Sequence, residues 1–215
     1  MGKQSLIMKD VLNKGVIAIF LFSPLILFLS IIFFPYQPEE LFFYPVLHVL
    51  LELLSIFIII LIFVIGWHSY QYNHSPLVLL IAVPFLEVGL LDLAHVLTYP
   101  GMPGWGISDS PQKALHLWLC ARWIEGLSIL VVLLWPWQHL QKPWFKRTLL
   151  LICFSTLLLI LGTVFFGENL LPDVYRADGR FSHYIQGMEL GVILLHLWAA
   201  GLVLWRKKLP RMLRS

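Results

Sequence analysis

The sequence predicts an all-α polytopic membrane protein, a bundle of six transmembrane helices with both termini in the cytoplasm. Three observations carry this. The chain is 59% hydrophobic and only 13% charged over 215 residues, with a mean hydropathy of +0.83, which is the composition of a membrane protein. Six apolar stretches stand out, near 15–34, 44–67, 76–98, 113–135, 148–166 and 182–205, and about 20 residues of helix cross the hydrocarbon layer. The basic residues fall mostly on one side of those stretches.

The first span follows MGKQSLIMKDVLNK. It is too long for a signal-peptide core and no small-residue cleavage pattern follows it, so it is read as retained. The second, YPVLHVLLELLSIFIIILIFVIGW, carries His48 and Glu52 four residues apart, on one helical face. The third contains Pro84, a place for a kink, with Asp92 and His95 three residues apart near its end. The fourth carries His116, Arg122 and Glu125; the fifth is almost wholly apolar; the sixth carries His183, Glu189 and His196. The stretch 99–112, rich in Gly and Pro, reads as turns capping the bundle, and 167–181 is the longest connection. There is no internal repeat, and no polar stretch long enough for a soluble domain of useful size. Residues 1–215 therefore read as a single integral membrane domain.

Sidedness follows from charge. Lys3, Lys9, Lys14, Lys142, Lys146, Arg147, Arg206, Lys207, Lys208, Arg211 and Arg214 lie on one face. The other has Lys113, Arg176 and Arg180 against Glu39, Glu40, Asp109, Glu168, Asp173 and Asp178. The positive-inside rule puts the first face, and both termini, in the cytoplasm. Trp67, Trp105, Trp135, Trp137, Trp144 and Trp205 fall at span ends or in short loops, as interfacial anchors do. No basic stripe with polar spacing points to nucleic acid. Cys120 and Cys153 both lie in apolar spans and read as small core residues, not a disulfide or zinc motif.

This topology brings His48, Glu52, Asp92, His95, His116, Arg122, Glu125, His183 and Glu189 to a similar depth in the outer half of the membrane. Glu52, Asp92, Glu125 and Glu189 would carry four negative charges, of which Arg122 cancels one. In a low-dielectric bundle the rest need protons or a bound cation. Imidazoles beside carboxylates suit zinc, iron, copper or manganese. The plainer reading is that buried acids and imidazoles are hydrogen-bonding glue between helices, with Arg122 and Glu125 paired to each other or to Asp92. Intramembrane ionisable groups are nonetheless functional candidates by default. For single residues packing is the simpler account: His183 interfacial, His196 and Glu87 in local hydrogen bonds, Trp118 and Trp123 core or lipid-facing, and Tyr44, His68 and His74 at headgroup level.

Four strings together resemble the third class of bacterial membrane-associated sensor (MASE) domains: LHVLLELLSIFIIILIFVIGW (47–67), VGLLDLAHVLTYPGM (88–102), LWLCARWIEGLS (117–128) and PD…GRFSHYIQGMEL (172–190). The matched positions are His48, Glu52, Trp67, Asp92, His95, Gly101, Met102, Trp118, Arg122, Glu125, Pro172, Asp173 and Glu189, and the resemblance runs from about residue 15 to 208. Departures are His116, where the family favours an amide, Glu87, where it is apolar, and WHSYQY, which lacks the arginines that usually follow Trp67. The resemblance implies a six-helix input module of the bacterial inner membrane. Such modules usually sit N-terminal to PAS, histidine-kinase or diguanylate-cyclase (GGDEF) domains, the outputs of two-component and cyclic di-GMP signalling, and usually act as homodimers. The chain stops at KKLPRMLRS, which reads either as an excised sensor or as a stand-alone homologue, its output domain fused or associated, and no intrinsic catalysis is expected.

The leading functional expectation is a signal-input domain. It would bind a transition-metal ion (zinc, iron or copper) through His48, Glu52, His95 and Glu125, with Asp92, Arg122, Glu189 and Trp118 completing the cofactor pocket. The sixth span would relay the change to a cytoplasmic effector. The alternative is haem or another cofactor with His48 and His95 as axial ligands. A proton-coupled transporter or an intramembrane metalloenzyme is a further alternative. Against transport stands the lack of an inverted repeat or a pair of broken helices; against hydrolysis, the lack of a nucleophile–base motif.

Overall fold

A computed structural model of the chain describes residues 43–100, 110–134, 143–176 and 178–205. By its internal contacts the chain divides into Met1–Val46 and Leu47–Ser215; the packing below is that of the second unit. The described elements are α1 (Phe43–Asn73), α2 (Pro76–Thr98), α3 (Pro111–Leu134), α4 (Pro143–Phe166), a 3₁₀ turn (Glu168–Leu170) and α5 (His183–Trp205). All five α-helices are long and apolar enough to cross a membrane. They are the second to sixth expected spans. The first expected span, 15–34, lies outside the described residues. So do the turns at 101–109 and most of the basic residues that argue for cytoplasmic termini.

Three of the helices begin at a proline, Pro76, Pro111 and Pro143, where the missing N–H would have had no intrahelical partner. α2 keeps the expected ends and runs on through Pro84. α1 runs six residues past Trp67. Its end is set at His74, which takes a left-handed backbone (φ 49°) while its N–H still bonds Tyr70 O at 3.0 Å, before the Ser75–Pro76 restart. The polar run HSYQYN is thus helix continued beyond the apolar span. α4 likewise starts five residues before the expected 148, in the polar segment that carries Lys146 over the Trp67 ring.

α2 and α3 form the centre, flanked by α4 and α5. Ile59 of α1, Val88 and Leu91 of α2, Leu117 and Ala121 of α3, and Leu157 and Val164 of α4 close one core. Close approach depends on small residues, as is usual where lipid removes the hydrophobic drive between helices. A Cβ on Gly66 would lie 2.5 Å from Ala82 Cβ, and one on Gly191 would lie 2.7 Å from the Trp123 ring. Facing away from the bundle, Leu50, Leu54 and Phe57 of α1, Leu151, Phe154 and Leu158 of α4, and Leu190, Leu194 and Leu197 of α5 are exposed. So large an apolar surface is that of a molecule solvated by lipid.

The chain enters α5 through a small hairpin. Tyr175 and Phe181 pair as an antiparallel bridge with rings stacked at 5.2 Å, and Gly179 turns it with φ +76°. Val174 and Ile185 are buried against Leu119 of α3, fixing this loop on the end of α3 where the polar residues gather.

Candidate functional site

His48 and Glu52 are one turn apart on α1, and His95 lies near the C-terminal end of α2. Donor atoms of the three lie within 4.8 Å of one another. The His48 and His95 rings meet edge to face with centroids 5.8 Å apart. Tyr99, the residue that ends α2, sits against both, 4.7 Å from His48 and 5.8 Å from His95. His95 is buried, and its Nδ1 lies 2.7 Å from Ala114 O in the first turn of α3. A carbonyl only accepts, so Nδ1 carries the proton. That leaves Nε2 as the free end of the ring, buried and with no hydrogen-bond partner among the described residues. An imidazole pinned at one nitrogen by a carbonyl, its other nitrogen left without a protein partner, in a ring beside a second imidazole and a carboxylate, is the arrangement metal-binding histidines show.

Beside this trio runs a charged chain. Arg122 of α3 donates from Nη2 to Asp92 Oδ2 and from Nη1 to Glu125 Oε2 at 2.6 Å. Asp92 is 0% exposed. With imidazoles neutral and all three carboxylates ionised, Glu52, Asp92 and Glu125 against Arg122 sum to a formal charge of −2. Asp92 Oδ1 and Arg122 Nε are buried without hydrogen-bond partners among the described residues.

The expected site residues therefore divide. His48, Glu52 and His95 come together. Glu125 is held by Arg122 and lies outside that trio, as does Asp92. Glu189 of α5 is half-buried and also outside it. Trp118 packs with Leu119, Val174, Ile185 and Met188 in the α3–α5 core, the core role that its position alone indicates. His116 stacks near Tyr184 and bonds Gln112 O at 2.8 Å. His196 bonds Val192 O within its own helix, the local role expected, whereas Glu87 accepts from Thr156 Oγ1 of α4 at 2.6 Å, a bond between two helices. His183 is exposed. Sequence reasoning passes over Tyr99 and Gln112, both placed in the capping turns. Tyr99 stands four residues after His95, the same spacing that singles out His48 and Glu52, and that signal was available.

Convergence of these residues at one end of a helical bundle is matched at the level of the whole sequence. A family model described as a membrane-associated sensor domain, MASE3, matches residues 39–212. The chain belongs to the MASE3 family. MASE3 domains are signal-input modules set in the membrane, and the five apolar helices make this one multi-pass. Comparison with curated proteins and with solved structures finds no match. Among the described residues of this MASE3 chain, the His48–Glu52–His95 trio shares α2 with the Asp92–Arg122–Glu125 chain.

Proposed function

We propose that this chain is a membrane sensor whose pocket at His48, Glu52 and His95 binds one divalent transition-metal ion. The observation that carries the reading is that His95, whose buried Nε2 has no hydrogen-bond partner among the described residues, has a donor atom within 4.8 Å of those of a second imidazole and a carboxylate. Two imidazoles and one carboxylate are a known zinc and non-haem iron donor set. An ion bound at about 2.0–2.2 Å draws such donors to roughly 3.4 Å from one another, a short inward rotation from the spacing here. Its two positive charges would offset the formal −2 of the surrounding groups. A metal would supply a fixed positive centre. The protein's own work is to hold it: Ala114 O fixes the His95 tautomer, Arg122 keeps Asp92 and Glu125 from competing for the ion, and Tyr99 walls the imidazoles.

The alternative, haem between His48 and His95, is less well supported. A Glu52 carboxylate oxygen lies within 4.8 Å of donor atoms of both imidazoles, which crowds the space a porphyrin would need. The positive-inside pattern favours a pocket near the periplasmic surface of a bacterial inner membrane; membership of the family, by analogy, suggests a cytoplasmic PAS, kinase or GGDEF output beyond α5 and a homodimer.

Titration of detergent-solubilised apo protein with Co(II) tests this directly. The visible ligand-field bands should grow to saturation at one equivalent. Glu52→Gln should weaken binding at least about tenfold, and His48→Ala more. Co(II) bands unchanged in both variants would refute the assignment, and a Soret band in the protein as purified would favour haem.

A further inference from the structure

We propose that Gln112 is a positioning residue that couples the His48–Glu52–His95 pocket to α5. This rests on the pocket being the ligand site. The coupling runs along hydrogen bonds. His95 Nδ1 donates to Ala114 O at 2.7 Å, in the first turn of α3. The same turn is tied to α2 a second time, by Ser110 N–H to Thr98 O at 3.0 Å, and Thr98 Oγ1 returns to His95 O at 3.0 Å. Two residues before Ala114, the Gln112 side chain reaches out to the hairpin. Its Nε2 donates to Pro172 O at 3.0 Å and its Oε1 accepts from Val174 N–H at 2.8 Å. Val174 O then accepts from Ser182 N–H at 2.8 Å. Ser182 in turn caps α5, its carbonyl taking Gln186 N–H at 3.2 Å and its hydroxyl taking Ile185 N–H at 3.4 Å.

The chemistry of the link is selective. An amide both donates and accepts, so glutamine satisfies two backbone groups of an extended segment at once, as a neighbouring strand would. Glutamate keeps only the accepting half, asparagine is one methylene short, and alanine makes neither bond. A ligand that draws His95 Nε2 toward His48 and Glu52 turns the ring against the Ala114 carbonyl. The first turn of α3 must then follow or lose that bond. Gln112 transmits the displacement to the segment whose next residues cap α5. Coupling of this kind is a free energy shared by two sites, and it is demonstrated by non-additivity rather than by adjacency.

Hydrogen–deuterium exchange on the full chain in lipid nanodiscs reads it, at the amides of 182–186, which Gln112 does not itself touch. In the wild type, saturating Co(II) should slow exchange there by about fivefold or more, the lower end of ordinary coupling. Gln112→Ala should leave Co(II) affinity within about twofold of wild type, yet abolish the response at 182–186, and Gln112→Glu should keep part of it. A metal-free arm stands on its own. His95→Ala should speed exchange at 182–186 in the wild-type background and add nothing in the Gln112→Ala background. A Co(II) response that survives in Gln112→Ala, or strictly additive effects in the double variant, would overturn the relay. If no variant binds Co(II), the metal reading fails, and the metal-free arm still decides the relay. Should Gln112→Ala not fold, the same comparison is made with Gln112→Glu, where an undiminished response contradicts the proposal.

Discussion

Removing the Arg122 guanidinium would leave Asp92, fully buried, and Glu125, half-buried, without the charge they face. Breaking a buried pair from one side costs about 3–5 kcal/mol, because the remaining charge is stranded. Arg122→Gln should therefore lower stability by that order in thermal unfolding of the detergent-solubilised protein. Adding Asp92→Asn to it should recover more than half of the loss, since neighbours that share one interaction are not additive. An additive double variant would mean that the pair is not coupled. At this scale the sequence was informative where spacing speaks. His48 and Glu52 at i, i+4, and Asp92 and His95 at i, i+3, declare their faces. It was ambiguous where one group has two suitors. Glu125 was a fair ligand by depth, but Arg122 three residues before it lies on the same face and takes its carboxylate. Gln112 was illegible, because its meaning depends on a hairpin 60 residues away.

Helix positions were legible because lipid demands long apolar runs, and α2 was readable to its ends. Helix lengths were less so: hydropathy marks what lies in hydrocarbon, while α1 continues in polar sequence to His74. Which helices touch was not readable at all, since no periodic stripe distinguishes a face toward lipid from a face toward protein. The glycines hold that information. At Gly66 the neighbour is the Cβ of Ala82, which cannot rotate away, so Gly66→Val must push α1 off α2. The expected cost is about 1–3 kcal/mol, the usual range for overpacking, read as an earlier thermal transition. Gly162→Val, at a site with none of the described residues within 4 Å, is the control and should change stability by under about 0.5 kcal/mol. Equal effects at the two sites would contradict the packing described for α1 and α2.

For the molecule as a whole, the charge pattern predicts that the hairpin before α5 faces the periplasm and the C-terminal tail the cytoplasm. With Cys120 and Cys153 replaced by alanine, a membrane-impermeant maleimide should label Asp178→Cys in intact spheroplasts, and label Arg214→Cys only after permeabilisation. The reverse pattern would invert the topology and put the pocket on the cytoplasmic side. The four strings from which the family resemblance is read, at 47–67, 88–102, 117–128 and 172–190, all lie within the matched residues 39–212, and three of them carry the residues of the trio and the ion-pair chain.

One measurement bears most directly on the metal pocket: the elemental content of protein purified gently without chelators, wild type beside the His48→Ala/His95→Ala double variant. The pocket described here predicts close to one transition-metal ion per wild-type chain and essentially none in the variant. Equal metal in both, or a wild type that remains metal-free after incubation with zinc, iron and copper salts, would contradict it.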